Sequence, residues 1–209
     1  MMSDTDRQKT DFKKLMKPYW APPVGRFVLL EVPELKFLMV DGAGDPNTSE
    51  DYRQALQWLY SLSYGLKFAS KARGHDYGVA PLEGLWWSND MSDFAAGRKD
   101  KWSWTAMIMQ PDWIRQADVD AAMGRARQKL GVPPTSLRLE DFAEGYSAQT
   151  MFVGPYADEA PTIARLHGEF LPANGLKPNG KHHEIYLSDP SRTAPDKLKT
   201  VIRQPVRPA

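Results

Sequence analysis

The segment KHHEIYLSDP, residues 181–190, places a carboxylate where acid–base chemistry is feasible. Its composition is typical of a short strand, and side chains of a strand alternate between two faces. His182, Glu184 and Tyr186 therefore share one face, whereas His183 lies on the other. A carboxylate that loses hydration in an apolar, aromatic setting has a raised pKa. Such a group can neutralise a cationic ligand or accept a proton from water.

The tryptophans that could form such a setting are concentrated in PLEGLWWS (residues 81–88) and KWSWTAMIMQP (residues 101–111). Alternation from Glu83 predicts that Trp87 faces the same side as that glutamate. A bulge at Gly84 would select Trp86 instead. The remaining candidates for a ligand wall are Trp102, Trp104, Tyr146, Phe152 and His182.

Each of these residues also has a purely structural interpretation. Glu184 could pair with an arginine or cap a turn, and the phenol of Tyr186 could be a core residue at the sheet rim. The tryptophans could be core packing. His182 and Glu184 could contribute to a metal site, but a catalytic zinc normally needs a third protein ligand. None is identified, so we expect neither a metal nor a cofactor.

Composition excludes several other functions. The 209 residues contain no cysteine, so disulfides, thiolate metal sites and cysteine nucleophiles are excluded. Twenty-seven Lys and Arg against 26 Asp and Glu give a net charge of +1, so we expect no nucleic-acid partner. Residues 1–14 contain no apolar stretch typical of a signal peptide, and no run approaches the length of a bilayer span, so we expect neither. We therefore expect a cytoplasmic protein without a membrane partner.

Hydrophobic periodicity predicts the elements that position these residues. Residues 1–24 are polar and predict a loosely held N-terminal arm with one helical turn. We predict strands at 26–32 and 36–42, a helix at 49–64 ending at Gly65, strands at 76–88 and 101–111 joined by a loop at 89–100, and a helix at 118–130 capped by Asp118.

An internal repeat is indicated by the comparison of residues 28–46 with residues 137–161. Both segments contain a strand, a break, a second strand, a turn with glycine and an acidic helix start. The tripeptide Gly-Leu-Lys then occurs twice, at 65–67 and 175–177, each time before a strand with a central glutamate. Glu83 and Glu184 are thereby predicted to be equivalent and to meet in one site.

The repeat predicts an α+β fold in which two strand-helix-strand-strand modules are related by a pseudo-two-fold axis. Their strands would form an antiparallel sheet with the helices on one face and a ligand cleft on the other. We expect a single domain at 25–206, made of repeats at about 25–132 and 133–206.

The segments KFLMVDGAGDPN, PLEGLWW and HHEIYLSDPSRTAPDKLKTVIRQPV, in this order, resemble stand-alone members of the GyrI-like (gyrase-inhibitor-like) small-molecule-binding family. The resemblance extends from about Asp11 to Val206. It implies the two-module fold and a glutamate in the cleft, here Glu184. Family members are associated with sensing bulky, often cationic aromatic compounds, and some stand-alone members with hydrolysing cyclopropane-containing genotoxins. In such an enzyme Glu184 would act together with Tyr186.

We therefore expect a small-molecule protein, with a hydrolase of xenobiotic or genotoxic compounds as the first interpretation. The ligand would be a hydrophobic or cationic aromatic molecule. The alternatives are a non-catalytic drug-binding, sequestering or sensor module, and a protein-partner role like that of a gyrase inhibitor. A homodimer is compatible with the sequence.

Overall fold

The computed structural model describes residues 9–90 and 97–209. The strands are β1 Val28–Ala43, β2 Leu82–Trp87, β3 Ser103–Gln110, β4 Arg138–Val153, β5 Leu176–Pro178, β6 His182–Tyr186 and β7 Lys199–Pro208. The helices are α1 Phe12–Leu15, α2 Lys17–Trp20, α3 Glu50–Ala72, α4 Gln116–Leu130, α5 Ala160–Arg165 and α6 Leu171–Ala173, with a π-helical stretch, Leu166–Phe170, joining the last two. Among the described residues, no helix has both the length and the apolar character needed to cross a membrane.

The fold is α+β, with an antiparallel sheet that closes on itself. The strand order is β4-β1-β3-β2-β6-β7-β5, and an additional pairing between β4 and β7 closes six strands into a barrel-like ring. Strand β5 extends the sheet along the last residues of β7. The pairings between these seven strands are antiparallel, as predicted.

The ring has two faces with different neighbours. On the outer face, Gln110 of β3 donates a hydrogen bond to Ser63 of α3. On the same face, Ile202 of β7 packs with Leu166 of the π-helical stretch between α5 and α6. On the inner face, apolar side chains such as Met107 are buried within the ring. Helix α3 and the segment from α5 to α6 therefore pack on the outer face.

The two predicted N-terminal strands are one continuous strand, β1, which runs through Pro33. Proline lacks an N–H group and is tolerated where no ladder partner needs one. The pairing of β1 with β3 begins only at Lys36, so around Pro33 the strand pairs with β4 alone. Because that edge is unpaired, the proline does not interrupt the strand.

Helix α3 begins close to the predicted residue but continues past Gly65 to Ala72. Ser49 caps it by accepting a hydrogen bond from the N–H of Tyr52. A Cβ on Gly65 would lie 3.7 Å from the Cβ of Ala122 on α4. The glycine faces a neighbouring helix, and tertiary packing offsets its weak helix propensity. The prediction that it ends the helix is wrong.

The second helix, α4, ends at Leu130 before Gly131, whose φ of 78° stops it. It begins two residues earlier than predicted. Asp118 is not the cap residue: its carboxylate accepts a hydrogen bond from the N–H of Arg115, which precedes the helix. Asp118 therefore stabilises the helix start from inside the first turn.

The part of the N-terminal arm that the structure describes is held more tightly than predicted. The expected helical turn forms α1, and Met16 and Trp20 are buried at one end of the ring. The carbonyls of Pro18 and Tyr19 accept hydrogen bonds from side chains of the inner face. Residues 1–8 of the arm, and residues 91–96 of the predicted loop, lie outside the described part of the chain.

The two halves share an order of pairings: β1 and β2 flank β3 in the first, and β4 and β6 flank β7 in the second. The Gly-Leu-Lys correspondence is wrong, however. The first tripeptide lies inside α3. The second begins at Gly175, which lies after the end of α6 and adopts a φ of 64°. The pseudo-two-fold relation itself stays a prediction.

Candidate active site

Glu184 lies on β6 directly opposite Gly84 of β2, on the helix-bearing face of the sheet. We predicted the cleft on the face without helices, but that face is the inside of the ring. About 14% of the Glu184 side chain is exposed, so the carboxylate is largely dehydrated yet open to solvent.

Three side chains hold this carboxylate in a chain of hydrogen bonds. The hydroxyl of Tyr186 donates to Oε2 of Glu184 at 2.7 Å, and the indole N–H of Trp86 donates to the Tyr186 oxygen at 3.1 Å. Nε2 of His182 lies 3.1 Å from Oε1 of Glu184. The same-face grouping of His182, Glu184 and Tyr186 thus agrees with the alternation read from the sequence.

These contacts set the protonation state of the glutamate. Burial raises the pKa of Glu184, but the hydrogen bonds from His182 and Tyr186 outweigh it and lower that pKa below its usual value. Burial and the neighbouring Glu184 charge raise the pKa of Tyr186 well above its usual value. At neutral pH the site therefore contains a carboxylate and a neutral phenol.

A second carboxyl group, Glu159, adjoins Glu184 and was missed by the sequence analysis. It precedes α5, is 4% exposed, and its carboxyl hydrogen-bonds to that of Glu184. Burial and the Glu184 charge raise the pKa of Glu159 to about 9. Acidic residues at a helix start usually serve the helix, but this side chain caps no backbone N–H. This is visible only in the structure, so the sequence offers no signal for Glu159.

Aromatic side chains from both halves surround the pair. Tyr52 of α3 contacts the indoles of Trp86 and Trp104, with ring centroids 5.9 Å and 4.9 Å away. Trp102 contacts Trp86 edge-to-face at 5.9 Å. Tyr156 contacts Tyr186 at 5.4 Å. Trp102 and Trp104 are predicted wall residues, and the structure adds Tyr52 and Tyr156 to them.

Trp86, not Trp87, faces Glu184. Strand β2 pairs regularly with β6 and has no bulge, so Trp86 shares the face of Gly84 and Glu184. A Cβ on Gly84 would lie 2.7 Å from the Trp86 indole nitrogen. The glycine therefore leaves the space in which the indole reaches Tyr186. Trp87 lies on the other face, where the ammonium of Lys181 is 3.4 Å from its ring centroid.

The predicted pairing of Glu83 with Glu184 is wrong. Glu83 is opposite Ile185, one residue out of phase with Glu184, so the two glutamates lie on opposite faces of the sheet. On the inner face, Oε2 of Glu83 lies 3.0 Å from Nε2 of His183. Glu83 is therefore not a ligand-wall residue beside Glu184.

Around His183 the inner face forms a buried polar network. Nδ1 of His183 lies 2.8 Å from Glu144, whose other oxygen accepts a hydrogen bond from Arg203 at 2.8 Å. Burial lowers the pKa of His183, but the carboxylates of Glu144 and Glu83 outweigh it and raise that pKa to about 9. Burial raises the pKa of Glu144, but His183 and Arg203 lower it to about 2. The network is thus a set of charge pairs.

This network adjoins a cavity of about 10 Å³, enclosed in part by Met16, Tyr19 and Trp20. Such a volume admits about one water molecule. A larger surface groove of about 420 Å³ lies elsewhere, lined by Arg73, His75, Trp113, Arg115, Ala117 and Asp118. No predicted site residue lines that groove.

Two other predicted wall residues lie away from Glu184. Tyr146 is opposite Glu31 on β1 and 42% exposed. Phe152 packs with Leu166 and other apolar residues in a separate core cluster. Both were chosen for residue type, and strand β4, which carries them, pairs with β1 and β7 rather than with β6. Within residues 9–90 and 97–209, no group of three potential metal ligands is present.

The family model for the GyrI-like small molecule binding domain matches residues 27–207. The chain belongs to the GyrI-like family. This membership agrees with the family resemblance seen in the sequence and with the α+β fold. A search of curated protein sequences found no significant match.

Solved structures of other proteins have a similar fold. A hydrolase from Listeria innocua is 40% identical, with a TM-score of 0.81 over 95% of this chain and 100% of its own. An uncharacterized conserved protein from the same organism, also 40% identical, gives a TM-score of 0.85 over the same shares. The EcmrR C-terminal domain is 12% identical, with a TM-score of 0.55 over 88% of this chain and 98% of its own, and shows the fold alone.

Proposed function

We propose that this GyrI-like protein is a hydrolase that binds aromatic small molecules beside Glu184 and opens strained, electrophilic rings with water. The observation that carries the proposal is the Glu184 carboxylate, which is held by Tyr186 at 2.7 Å and surrounded by aromatic rings. Its relative from Listeria innocua, 40% identical over nearly the whole chain, is a hydrolase.

The geometry suits the activation of water. Glu184 is ionised at neutral pH and partly exposed, so it accepts a proton from a water molecule that reaches its open side. Tyr186 fixes one carboxylate oxygen and thereby orients the base. Aromatic rings on either side exclude bulk water from a bound ring system and hold it by stacking.

A cyclopropane conjugated to a carbonyl group is a fitting substrate for this arrangement. The oxygen of water bonds to a ring carbon as Glu184 takes its proton, the strained C–C bond breaks, and the electron pair moves into the carbonyl system. The product is an alcohol, and the carbonyl recovers its form by protonation. Xenobiotic or genotoxic compounds with such rings are the substrate class that we propose.

The second candidate is a binding module without turnover. An ionised carboxylate flanked by Trp86 and Tyr52 also suits a cationic aromatic ligand. Each cation–π contact contributes roughly 0.5–2 kcal/mol in such a site. In that case Glu184 is a counter-charge and performs no proton transfer.

The test is to incubate the protein with aryl cyclopropyl ketones and with tetraalkylammonium-bearing aromatic dyes, following tryptophan fluorescence and product formation. We expect fluorescence quenching and a hydrolysed product with the ketones. Glu184→Gln should retain ketone binding and lose turnover by roughly 10²–10⁴-fold, the usual contribution of a general base.

The matched control is Glu34→Gln, which alters an exposed glutamate on β1 and should leave both signals unchanged. Quenching by the dyes without turnover of any ketone would favour the binding module. If Glu184→Gln changes neither binding nor turnover, the site lies elsewhere.

A further inference from the structure

The proposed function gives a role to Glu184 but none to Glu159, the carboxyl group in contact with it. Glu159 is almost completely buried, and its Oε1 atom has no hydrogen-bond partner among the described residues. A buried polar atom without a partner is uncommon and costs free energy. The position of this atom, beside the proposed catalytic carboxylate, points to a ligand that completes its hydrogen bonding.

Two carboxyl groups in hydrogen-bonding contact share one proton, because two adjacent negative charges in a dehydrated site repel each other strongly. The proton resides on Glu159. Glu184 accepts hydrogen bonds from Tyr186 and His182, which stabilise its charge, whereas burial and the Glu184 charge disfavour a negative Glu159 more than the hydroxyl of Thr200 favours it. Glu159 is thus a neutral acid at the pH where Glu184 is a base.

We propose that Glu159 is a second catalytic residue, which donates its proton to the carbonyl oxygen of the substrate while Glu184 removes a proton from water. This inference rests on the proposed hydrolase function. In this proposal, an oxygen atom of the electrophilic ligand binds at the side of Glu159 that has no hydrogen-bond partner.

The proton gained by Glu184 and the proton lost by Glu159 balance over one catalytic cycle. Water gives a proton to Glu184 and its oxygen to the ring carbon, and the C–C bond breaks toward the carbonyl. The enolate oxygen takes the proton of Glu159. Glu159 is then ionised and Glu184 protonated, and the hydrogen bond between them carries the proton back to Glu159. The enol returns to the carbonyl in water, so each cycle adds one water to the substrate.

The groups that face Glu159 allow this assignment. The hydroxyl of Thr200 and the ammonium of Lys99 favour its ionised form, but burial and the Glu184 charge oppose that form more strongly. The other titratable side chains near the pair are Tyr52 on α3, Tyr156 before α5, and His182 and Tyr186 on β6.

The experiment compares wild type with Glu159→Gln on an aryl cyclopropyl ketone. Turnover should fall by roughly 10²–10⁴-fold because a general acid is lost, while the Kd from fluorescence should change less than about threefold. In wild type, kcat should decline as pH rises through about 9, where Glu159 loses its proton. Glu159→Gln should lack that decline, and Glu159→Asp should restore part of both the rate and the pH dependence.

Infrared spectroscopy gives a readout that does not depend on turnover. Wild type at neutral pH should show the C=O stretch of a buried carboxylic acid, which Glu159→Gln removes. Asp158→Asn is the matched control, since it alters the adjacent, exposed carboxylate and should leave the band and the rate intact.

The outcomes separate the two proposals. Wild-type turnover with an unchanged rate and pH profile in Glu159→Gln would overturn the role of Glu159 and leave the hydrolase function standing. Absence of wild-type turnover on every ketone would overturn both. An acid band that survives Glu159→Gln would overturn the placement of the proton.

Discussion

At the scale of single residues, the site is defined by donors that converge on one carboxylate. The N–H of Trp86 points to Tyr186, and the hydroxyl of Tyr186 points to Glu184. Charge-assisted hydrogen bonds of this kind contribute about 1.5–3 kcal/mol each. Tyr186 therefore both orients the carboxylate and keeps it ionised.

Tyr186→Phe tests this role. Loss of the hydroxyl removes a donor that lowers the pKa of Glu184, so the acidic limb of the pH–rate profile should move to higher pH. The kcat at neutral pH should fall on the order of tenfold, since one charge-assisted hydrogen bond is lost. Steady-state kinetics over a pH series checks both effects. Tyr146→Phe, at an exposed tyrosine, should change neither, and an unmoved acidic limb in Tyr186→Phe would contradict the role.

Sequence reasoning predicted the part of the site that lies on one strand. Alternation placed His182, Glu184 and Tyr186 on one face of β6 because that pattern depends only on neighbouring residues. It could not place Glu159, which is 25 positions away and comes from a helix start. It misplaced Glu83 because the assumed repeat equivalence fixed the wrong phase of β2 relative to β6. Register between distant strands depends on long-range packing.

At the scale of elements, glycines decide where the indoles lie. A Cβ on Gly42 would come within 2.2 Å of the Trp104 ring, and one on Gly84 within 2.7 Å of the Trp86 nitrogen. Trp104 thus lies across a glycine of the neighbouring strand β1, and Trp86 across a glycine of its own strand, β2. The strands supply a flat surface at these positions, which lets the rings extend toward Tyr52 and Tyr186.

Gly84→Ala should displace Trp86 from Tyr186. Overpacking of this kind typically costs about 1–3 kcal/mol, so the free energy of unfolding should fall by that amount and the Trp86 fluorescence should change. Chemical denaturation and emission spectra measure the two effects. Gly124→Ala is the control: it lies exposed in α4 with no atom near its Cβ, and alanine there should add about 0.5–1 kcal/mol. Equal stability of the two variants would contradict the packing argument.

Element types were predictable, but two element ends were not. Pro33 and Gly65 are strong local breakers, and both were taken as interruptions. The structure continues through them because β1 has a free edge at Pro33 and α3 packs on Ala122 at Gly65. Both reasons are tertiary, so no local pattern contains them.

At the scale of the whole molecule, the inner network makes stability depend on pH. The pKa of His183 is raised from 6.5 to about 9, so its stabilising contribution is complete below about pH 6.5 and is lost as pH rises through 9. The pKa of Glu144 is lowered from 4.5 to about 2, so its contribution is present above pH 4.5 and is lost as pH falls toward 2. The pKa of Glu159 is raised from 4.5 to about 9, so its effect lowers stability steadily from about pH 4.5 to 9.

We therefore expect the free energy of unfolding to be highest near pH 4.5, to decrease up to pH 6.5 and to decrease more steeply from there toward pH 9. Urea denaturation at a series of pH values measures this profile. His183→Gln should cost about 3–5 kcal/mol at pH 6, because it leaves buried carboxyl groups unpaired, and should flatten the alkaline decline. His75→Gln, at a surface histidine, should keep the wild-type profile. A constant stability from pH 6 to 9 in wild type would contradict the charge assignment.

The two faces of β6 also determine how the chain avoids misfolding. Consecutive histidines give the strand one imidazole for each face, so the faces differ mainly in Ile185 against Glu184 and Tyr186, and a slip by one residue would exchange them. Such a slip would turn Glu184 into the ring beside Glu83 and Glu144 and would remove His183 from between them. Three carboxyl groups would then crowd around one arginine. Electrostatic repulsion in the ring therefore selects the correct strand register during folding.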